Sequence, residues 1–285
     1  MNFLEFDDVT FTYPVVEGDL DENGNQIEPS PVFEHFSAVL PAGFVSFVGQ
    51  NGCGKSTLML LASGRLTPSN GTISLLGKNP ATLDDENKNL LASVIYQNME
   101  FETEDKVSEL LSFVYQNGSL KENAKPIRTS ASHTAHAENL LGEVIEVFEL
   151  QNVLEHPLTK LSKGEIQRVL LAFGILYGSE SLFMDEPLFA LENYQKEAAL
   201  SYLKEYVHKT GKSIYISMHE LDLTKKYADT VLLFYPNKDM SLGTPEEVLT
   251  RDEVEKAYGV PYAMLKDHEN LSREYLNSLH NAQND

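Results

Sequence analysis

The chain has 285 residues, long enough to bury a full core, and 42% of them are hydrophobic, the composition of an ordinary globular protein. Its 43 acidic side chains outnumber 22 basic ones for a formal net charge of -21, which disfavours any partner whose binding requires neutralising a nucleic-acid backbone. No run approaches the roughly 18 apolar residues that cross a bilayer, and the start Met1-Asn2-Phe3-Leu4-Glu5 lacks the basic region of a signal peptide. The single cysteine, Cys53, excludes an intrachain disulfide and fits a reducing compartment, so a cytoplasmic chain is expected.

From the N-terminus, Phe3, Phe6, Val9 and Phe11 alternate loosely with polar residues up to Thr12-Tyr13-Pro14, which predicts an antiparallel edge strand over 2–12 closed by proline. Residues 17–31 are acidic and rich in turn formers, with Asn23-Gly24 as a hairpin tip. Asp19, Asp21 and Asn23 share the spacing of half a calcium loop, but Ser30 stands where the bidentate carboxylate belongs, and a solvated hairpin is expected. Strand patterns follow at 36–40, 44–48, 72–76 and 92–96, the last stopping at Gln97. Helical spacing marks 107–114 and 140–150, separated by a small, polar surface loop over 121–136. Within that loop His133 and His136 stand three apart with no third metal ligand nearby. A helix opening at Leu161-Ser162-Lys163-Gly164-Glu165 runs to Gly178, and strand Ser181–Met184 ends in Asp185-Glu186. An amphipathic helix over 191–207, a strand over 213–218 ending at His219, and a strand over 230–235 follow. Residues 241–285 read as helical, then polar and fraying.

The stretch with the clearest chemistry is Gly49-Gln50-Asn51-Gly52-Cys53-Gly54-Lys55-Ser56-Thr57, which follows the strand-like run 44–48 and opens a helix. Its glycines allow successive N–H groups of Gly49, Asn51, Gly52, Cys53 and Gly54 to turn inward on phosphate oxygens, and the positive end of the helix faces the same anion. Lys55 then reaches the β- and γ-phosphates, Ser56 offers a hydroxyl to Mg²⁺, and Thr57 ends the nucleotide-binding stretch. Cys53 reads as a small side chain filling the tight loop, the alternative being a thiol whose pKa the helix N-terminus lowers. Asp185 and Glu186 end a strand, where open α/β sheets place their chemistry. Asp185 suits Mg²⁺ coordination, and Glu186 suits a general base for an attacking water. Ser162 and Glu165 have the spacing of a helix capping box.

The order phosphate loop, Gln97, Leu-Ser-Lys-Gly-Glu, Asp185-Glu186, His219 resembles the ATP-binding subunits of ABC transporters over about residues 3–260. The resemblance implies an α/β fold of the P-loop NTPase type. A RecA-like parallel sheet would carry an antiparallel β-subdomain and an α-helical subdomain inserted at about 98–178, with 1–260 as the ATPase domain and 261–285 as a helical tail. It implies ATP and Mg²⁺ as cofactors, adenine stacking on Tyr13, a metal or water contact and partner sensing at Gln97, and a γ-phosphate contact at His219. It also implies that Ser162 and Gly164, with Glu165 and the helix N-terminus, cap the nucleotide of a second ATPase subunit in a head-to-tail dimer, homo- or heteromeric. Two departures stand out: Lys163 where the family most often has glycine, and Glu192 where it normally has the aspartate that links the two sites.

Gly243-Thr244-Pro245, followed by the Tyr258-Gly259-Val260 continuation, resembles the importers of metal chelates such as ferric siderophores, haem and cobalamin. That branch implies an integral-membrane permease as partner, an extracytoplasmic solute-binding protein in the full system, no nucleic acid, and a peripheral place on the inner face of the cell membrane. The alternatives are a soluble ABC ATPase in an assembly or scaffold role, as in iron–sulfur cluster biogenesis, and a low-turnover nucleotide-gated binding module.

Overall fold

In the computed structural model, residues 3–15, 18, 26–27, 29–97, 99, 101–120, 125–128 and 139–265 are described. The Asn23-Gly24 tip, the Asp19 and Asp21 spacing, His133 and His136, and the fraying end beyond 265 all lie outside the described residues.

Three strands pair antiparallel in the order β2-β1-β4: β1 (Leu4–Phe11), β2 (Phe33–Leu40) and β4 (Asn70–Leu75), the last lying beyond β3 and α1 in the chain. The first strand is therefore the middle of its sheet and not an edge, because β4 arrives from about 60 residues away to cover its second side. A second sheet has the order β5-β6-β7-β3-β8-β9, from strands Ala92–Ile95, Ser181–Met184, Ser213–Ser217, Phe44–Val48, Thr230–Phe234 and Met240–Gly243. All neighbours are parallel except β8 and β9. Residues 240–243 form this antiparallel edge, although the helical tail is expected from 241; helices α8 (Pro245–Val248) and α9 (Arg251–Tyr258) come after it.

The parallel strands are apolar on both faces, as a sheet covered from both sides requires. In β3, Phe44 and Val48 point into one buried cluster, with the helices, while Val45 and Phe47 point into the other, with the antiparallel sheet. Strand β7 divides the same way: Ile214 and Ile216 to the helical side, Tyr215 to the other, where its ring stacks on Phe183 at 4.8 Å. Helix α1 (Lys55–Ala62) fills the second cluster with Leu58, Met59, Leu61 and Ala62. The first is filled by α3 (Val107–Asn117), α4 (Leu140–Val147), α5 (Lys163–Tyr177), α6 (Asn193–Thr210) and α7 (Leu221–Tyr227).

Helix α2 (Asp85–Leu91) is absent from the sequence reading, because its first turns are polar throughout. Asp84 starts it: its carboxylate accepts the Asn87 N–H at 2.8 Å, satisfying one of the open donors at a helix start. The amphipathic helix begins at Asn193, later than 191, with Gln195 Oε1 accepting the Glu192 N–H at 3.2 Å. No helix among the described residues is long and apolar enough to cross a membrane.

Candidate nucleotide site

Strand order gathers the motifs. β6, β7 and β3 are neighbours and parallel, and the register pairs Met184 with Ile216 and Phe47 with Ser217. Their C-terminal ends therefore release Asp185-Glu186, Met218-His219 and the loop 49–54 at one edge, and Gln97 follows β5 beside them.

The loop turns through left-handed glycines and delivers the chain into α1 at Gly54, with φ 105, a conformation that a β-carbon resists. A β-carbon there would also stand 3.1 Å from the Phe33 ring. Lys55 is buried and folds back, its Nζ donating to Gly49 O and Gln50 O, each at 2.8 Å. An ammonium resting on two carbonyls at a helix N-terminus is a cation waiting for an anion. The cavity above it is about 390 Å³ and lined by Tyr13, Val32, Asn51, Gly52, Gly54, Lys55, Ser56, Thr57, Gln97 and Glu186. The Tyr13 hydroxyl and Thr57 Oγ1 lie 3.0 Å apart, and the Tyr13 ring meets Phe11 edge-on at 4.9 Å, so the aromatic is pinned beside the loop.

Glu186 closes the cavity. Gln97 Nε2 donates to its Oε2 at 2.7 Å, and His219 Nε2 lies 2.7 Å from its Oε1. The His219 hydrogen bond holds the Glu186 carboxyl below the ordinary glutamate range against the opposing effect of burial, and the charges of His219 and Lys55 and the Gln97 contact add to it. Glu186 also has φ 47, a left-handed backbone in a non-glycine residue.

Not every residue expected at the site reaches the cavity. Asp185 and His219 are not among its lining residues: Asp185 accepts from the buried Ser217 hydroxyl, and His219, exposed, is linked to the lining through Glu186. Cys53 faces away, into a second cavity of about 320 Å³ that it shares with Gln50, Phe234 and Lys238 on the loop's other side. Burial pushes its thiol up, the reverse of the helix-terminus expectation. Gly49, a close-packed turn residue, is likewise outside the lining: a β-carbon on it would lie 2.9 Å from Phe234 Cβ.

Ser162, Gly164 and Glu165 do not approach the chain's own cavity. They form a capping box: Ser162 N and Oγ donate to Glu165 Oε2 at 2.8 and 2.7 Å, and Glu165 N donates to Ser162 Oγ at 3.4 Å. Gly164 is pressed on the loop after Glu186, where a β-carbon would come within 2.8 Å of Ala190 O. Lys163 is exposed in the first turn of α5.

Ser217 was not singled out in the sequence. It is the last residue of β7, fully buried, and its hydroxyl joins both carboxylate residues: Glu186 N donates to Ser217 Oγ at 2.8 Å, and Ser217 Oγ donates to Asp185 Oδ1 at 2.6 Å. The one available signal was a hydroxyl at the end of an otherwise apolar run, two residues before His219.

A family model described as "ABC transporter" matches residues 37–189, more than half of the chain. The chain is similar to the hemin import ATP-binding protein HmuV of Escherichia coli O157:H7, with 29% identity over 248 residues that cover 84% of this chain and 91% of that one. It is also similar to the petrobactin import ATP-binding protein YclP of Bacillus subtilis (strain 168), at 26% identity with 80% and 86% covered. Among solved structures, the dimeric post-hydrolysis state of an ATP-binding cassette bound to ADP and Pi shares the fold with a TM-score of 0.61, 19% identity, and 80% and 93% of the two chains covered.

Proposed function

The chain belongs to the ABC transporter family of ATP-hydrolysing proteins, and from that premise we propose that it powers import of a small solute, a metal chelate, through a separate membrane permease. The observation that carries the reading is Glu186, suspended between Gln97 and His219 on the lining of a cavity that it shares with Lys55.

In this reading the loop N–H groups and Lys55 bind the β- and γ-phosphates of ATP, and Tyr13 stacks on the adenine. The donor set fits Mg²⁺, a hard cation that takes oxygen ligands and keeps several waters: Ser56 and Gln97 line the cavity and would hold the ion, and Asp185, outside the lining, would serve it through water. Mg²⁺, when bound, neutralises charge on the β- and γ-phosphate oxygens. Glu186 accepts a proton from the water that attacks the γ-phosphorus. The bond to the bridging oxygen then breaks, and ADP and phosphate leave. His219 holds Glu186 before reaction and contacts the γ-phosphate when it is present.

Ser162, Gly164 and Glu165 lie outside the chain's own cavity, which supports a role toward the nucleotide of a second subunit in a head-to-tail dimer. The helical layer around α3 and α4 would dock the permease, and the import names of the two relatives support a haem- or siderophore-like cargo delivered by a solute-binding protein. Steady-state ATP hydrolysis, measured on the purified chain and on membranes carrying its co-purified permease, tests the proposal. Hydrolysis that Glu186→Gln abolishes and membrane association raises is the expected result; a chain that fractionates with soluble partners alone contradicts the transport role.

A further inference from the structure

We propose that Ser217 is a positioning residue for hydrolysis: its one hydroxyl sets the peptide between Asp185 and Glu186 and so aims the Glu186 carboxylate. The inference rests on Glu186 acting as the base.

A serine hydroxyl has one donor and two acceptor sites. Ser217 uses it as acceptor for the Glu186 N–H at 2.8 Å and as donor to Asp185 Oδ1 at 2.6 Å. The contact thus reaches the residue expected to serve the metal and the residue expected to serve the water, across neighbouring parallel strands. Burial alone does not explain it. Ser46 and Ser181 are equally buried in the same sheet, and their hydroxyls have no hydrogen-bond partner. A serine at a central strand position forgoes the packing of a β-branched residue, and at 217 both hydrogen bonds replace it.

The backbone of Glu186 makes the link directional. Its φ of 47 is a conformation that non-glycine residues occupy rarely, and it persists only where surrounding contacts impose it. Asp185 N is fixed by Ile95 O at 2.9 Å, and Glu186 N by Ser217, so two successive amides are held by neighbouring strands on either side of β6. Without the hydroxyl, the Glu186 amide loses its acceptor and the chain is free to relax toward negative φ. That rotation would carry the carboxylate away from Gln97 and His219 while leaving Lys55 and the phosphate loop in place.

The test compares Ser217→Ala, Ser217→Thr and Ser217→Cys in the full chain, with Glu186→Gln as control. Loss of the hydroxyl in Ser217→Ala is expected to lower kcat about tenfold, the effect of one well-placed hydrogen bond, with KM for ATP within about twofold of the parent. Ser217→Thr, which keeps the hydroxyl, restores most of the rate. Ser217→Cys keeps the volume with weaker bonds and falls between; it carries the comparison if the alanine or threonine chain fails to fold. A Ser217→Ala chain with parental kcat, or one whose KM rises in step with the loss of kcat, overturns the proposal. If Glu186→Gln itself hydrolyses at the parental rate, the reading of Glu186 as base has failed, and this inference with it. If Glu186→Gln is inactive while Ser217→Ala is not impaired, only the role of Ser217 has failed.

Discussion

Glu143 and Glu186 are each held by more than one partner, and their settings suit opposite work. Glu143 in α4 is buried, and its carboxylate accepts Ile127 N and Arg128 N, each at 2.6 Å, and the Tyr202 hydroxyl at 2.9 Å. Arg128 lies over the Tyr202 ring at 5.3 Å, and Lys209 Nζ donates to Ile127 O at 2.6 Å, so the segment at 127–128 is tied to both α4 and α6. Two of the three donors to Glu143 are backbone amides, which have nowhere else to go. Glu186 is held instead by two side chains, Gln97 and His219, both exposed. A carboxylate bound by fixed amides is a rivet; one bound by movable side chains at a cavity mouth is available for chemistry.

The sharpest way to break that comparison is to neutralise each glutamate. Glu186→Gln preserves shape and removes the proposed base, and about 10²- to 10⁴-fold of kcat should go with it while the melting midpoint stays near the parent's. Glu143→Ala should do the reverse: about 3 kcal/mol of stability is lost in denaturant unfolding, since three buried donors lose their acceptor, while hydrolysis per folded molecule is retained. If Glu143→Ala were instead inactive yet stable, the helical layer would be part of the reaction and the contrast would collapse.

A smaller effect is expected from the aromatic. Tyr13→Ala removes a stacking face and the contact to Thr57, and titration with a fluorescent ATP analogue should show affinity falling about tenfold, consistent with one aromatic contact of roughly 1 kcal/mol or more. The pH dependence sharpens the comparison further. Glu186 has a folded-state pKa below its ordinary 4.5, so its contacts contribute their full share of stability above that pH and lose it as the pH falls through the depressed folded value. His219→Ala removes the largest cause of the shift, and the acid limb of the residual hydrolysis should move toward higher pH. A limb that does not move would assign the loss of activity in acid to another group. The smallest change is expected at Gln50, whose side-chain amide donates to Tyr258 O and whose backbone carbonyl accepts Lys55. Gln50→Met should alter KM for ATP by no more than about threefold, measured in the same assay, because the carbonyl that meets Lys55 remains.

How much of this was legible follows from where each signal lies in the chain. The phosphate loop is contiguous, so glycines, lysine and hydroxyl could be read at fixed spacing, and Asp185-Glu186 and His219 gained meaning from ending apolar runs. Ser217 and Glu143 were not legible, because their partners come from other elements: Ser217 meets Asp185 and Glu186 only after β6 and β7 pair, and Glu143 meets residues 127–128 only after α4 and α6 pack. The same reason turned β1 from an edge into a central strand, since nothing in residues 2–12 announces β4. Helix α2 was missed for a different reason: its start depends on the Asp84 cap rather than on apolar periodicity.

The most direct test of the account is sizing chromatography of Glu186→Gln with and without Mg-ATP, run beside the parent. With the proposed base lost but the Lys55 cradle and the Ser162–Glu165 helix start intact, the variant should accumulate as an ATP-dependent dimer, which the parent, hydrolysing its ATP, does not. A monomer under both conditions, with ATP bound, would contradict the assignment of the α5 start to a second subunit's nucleotide.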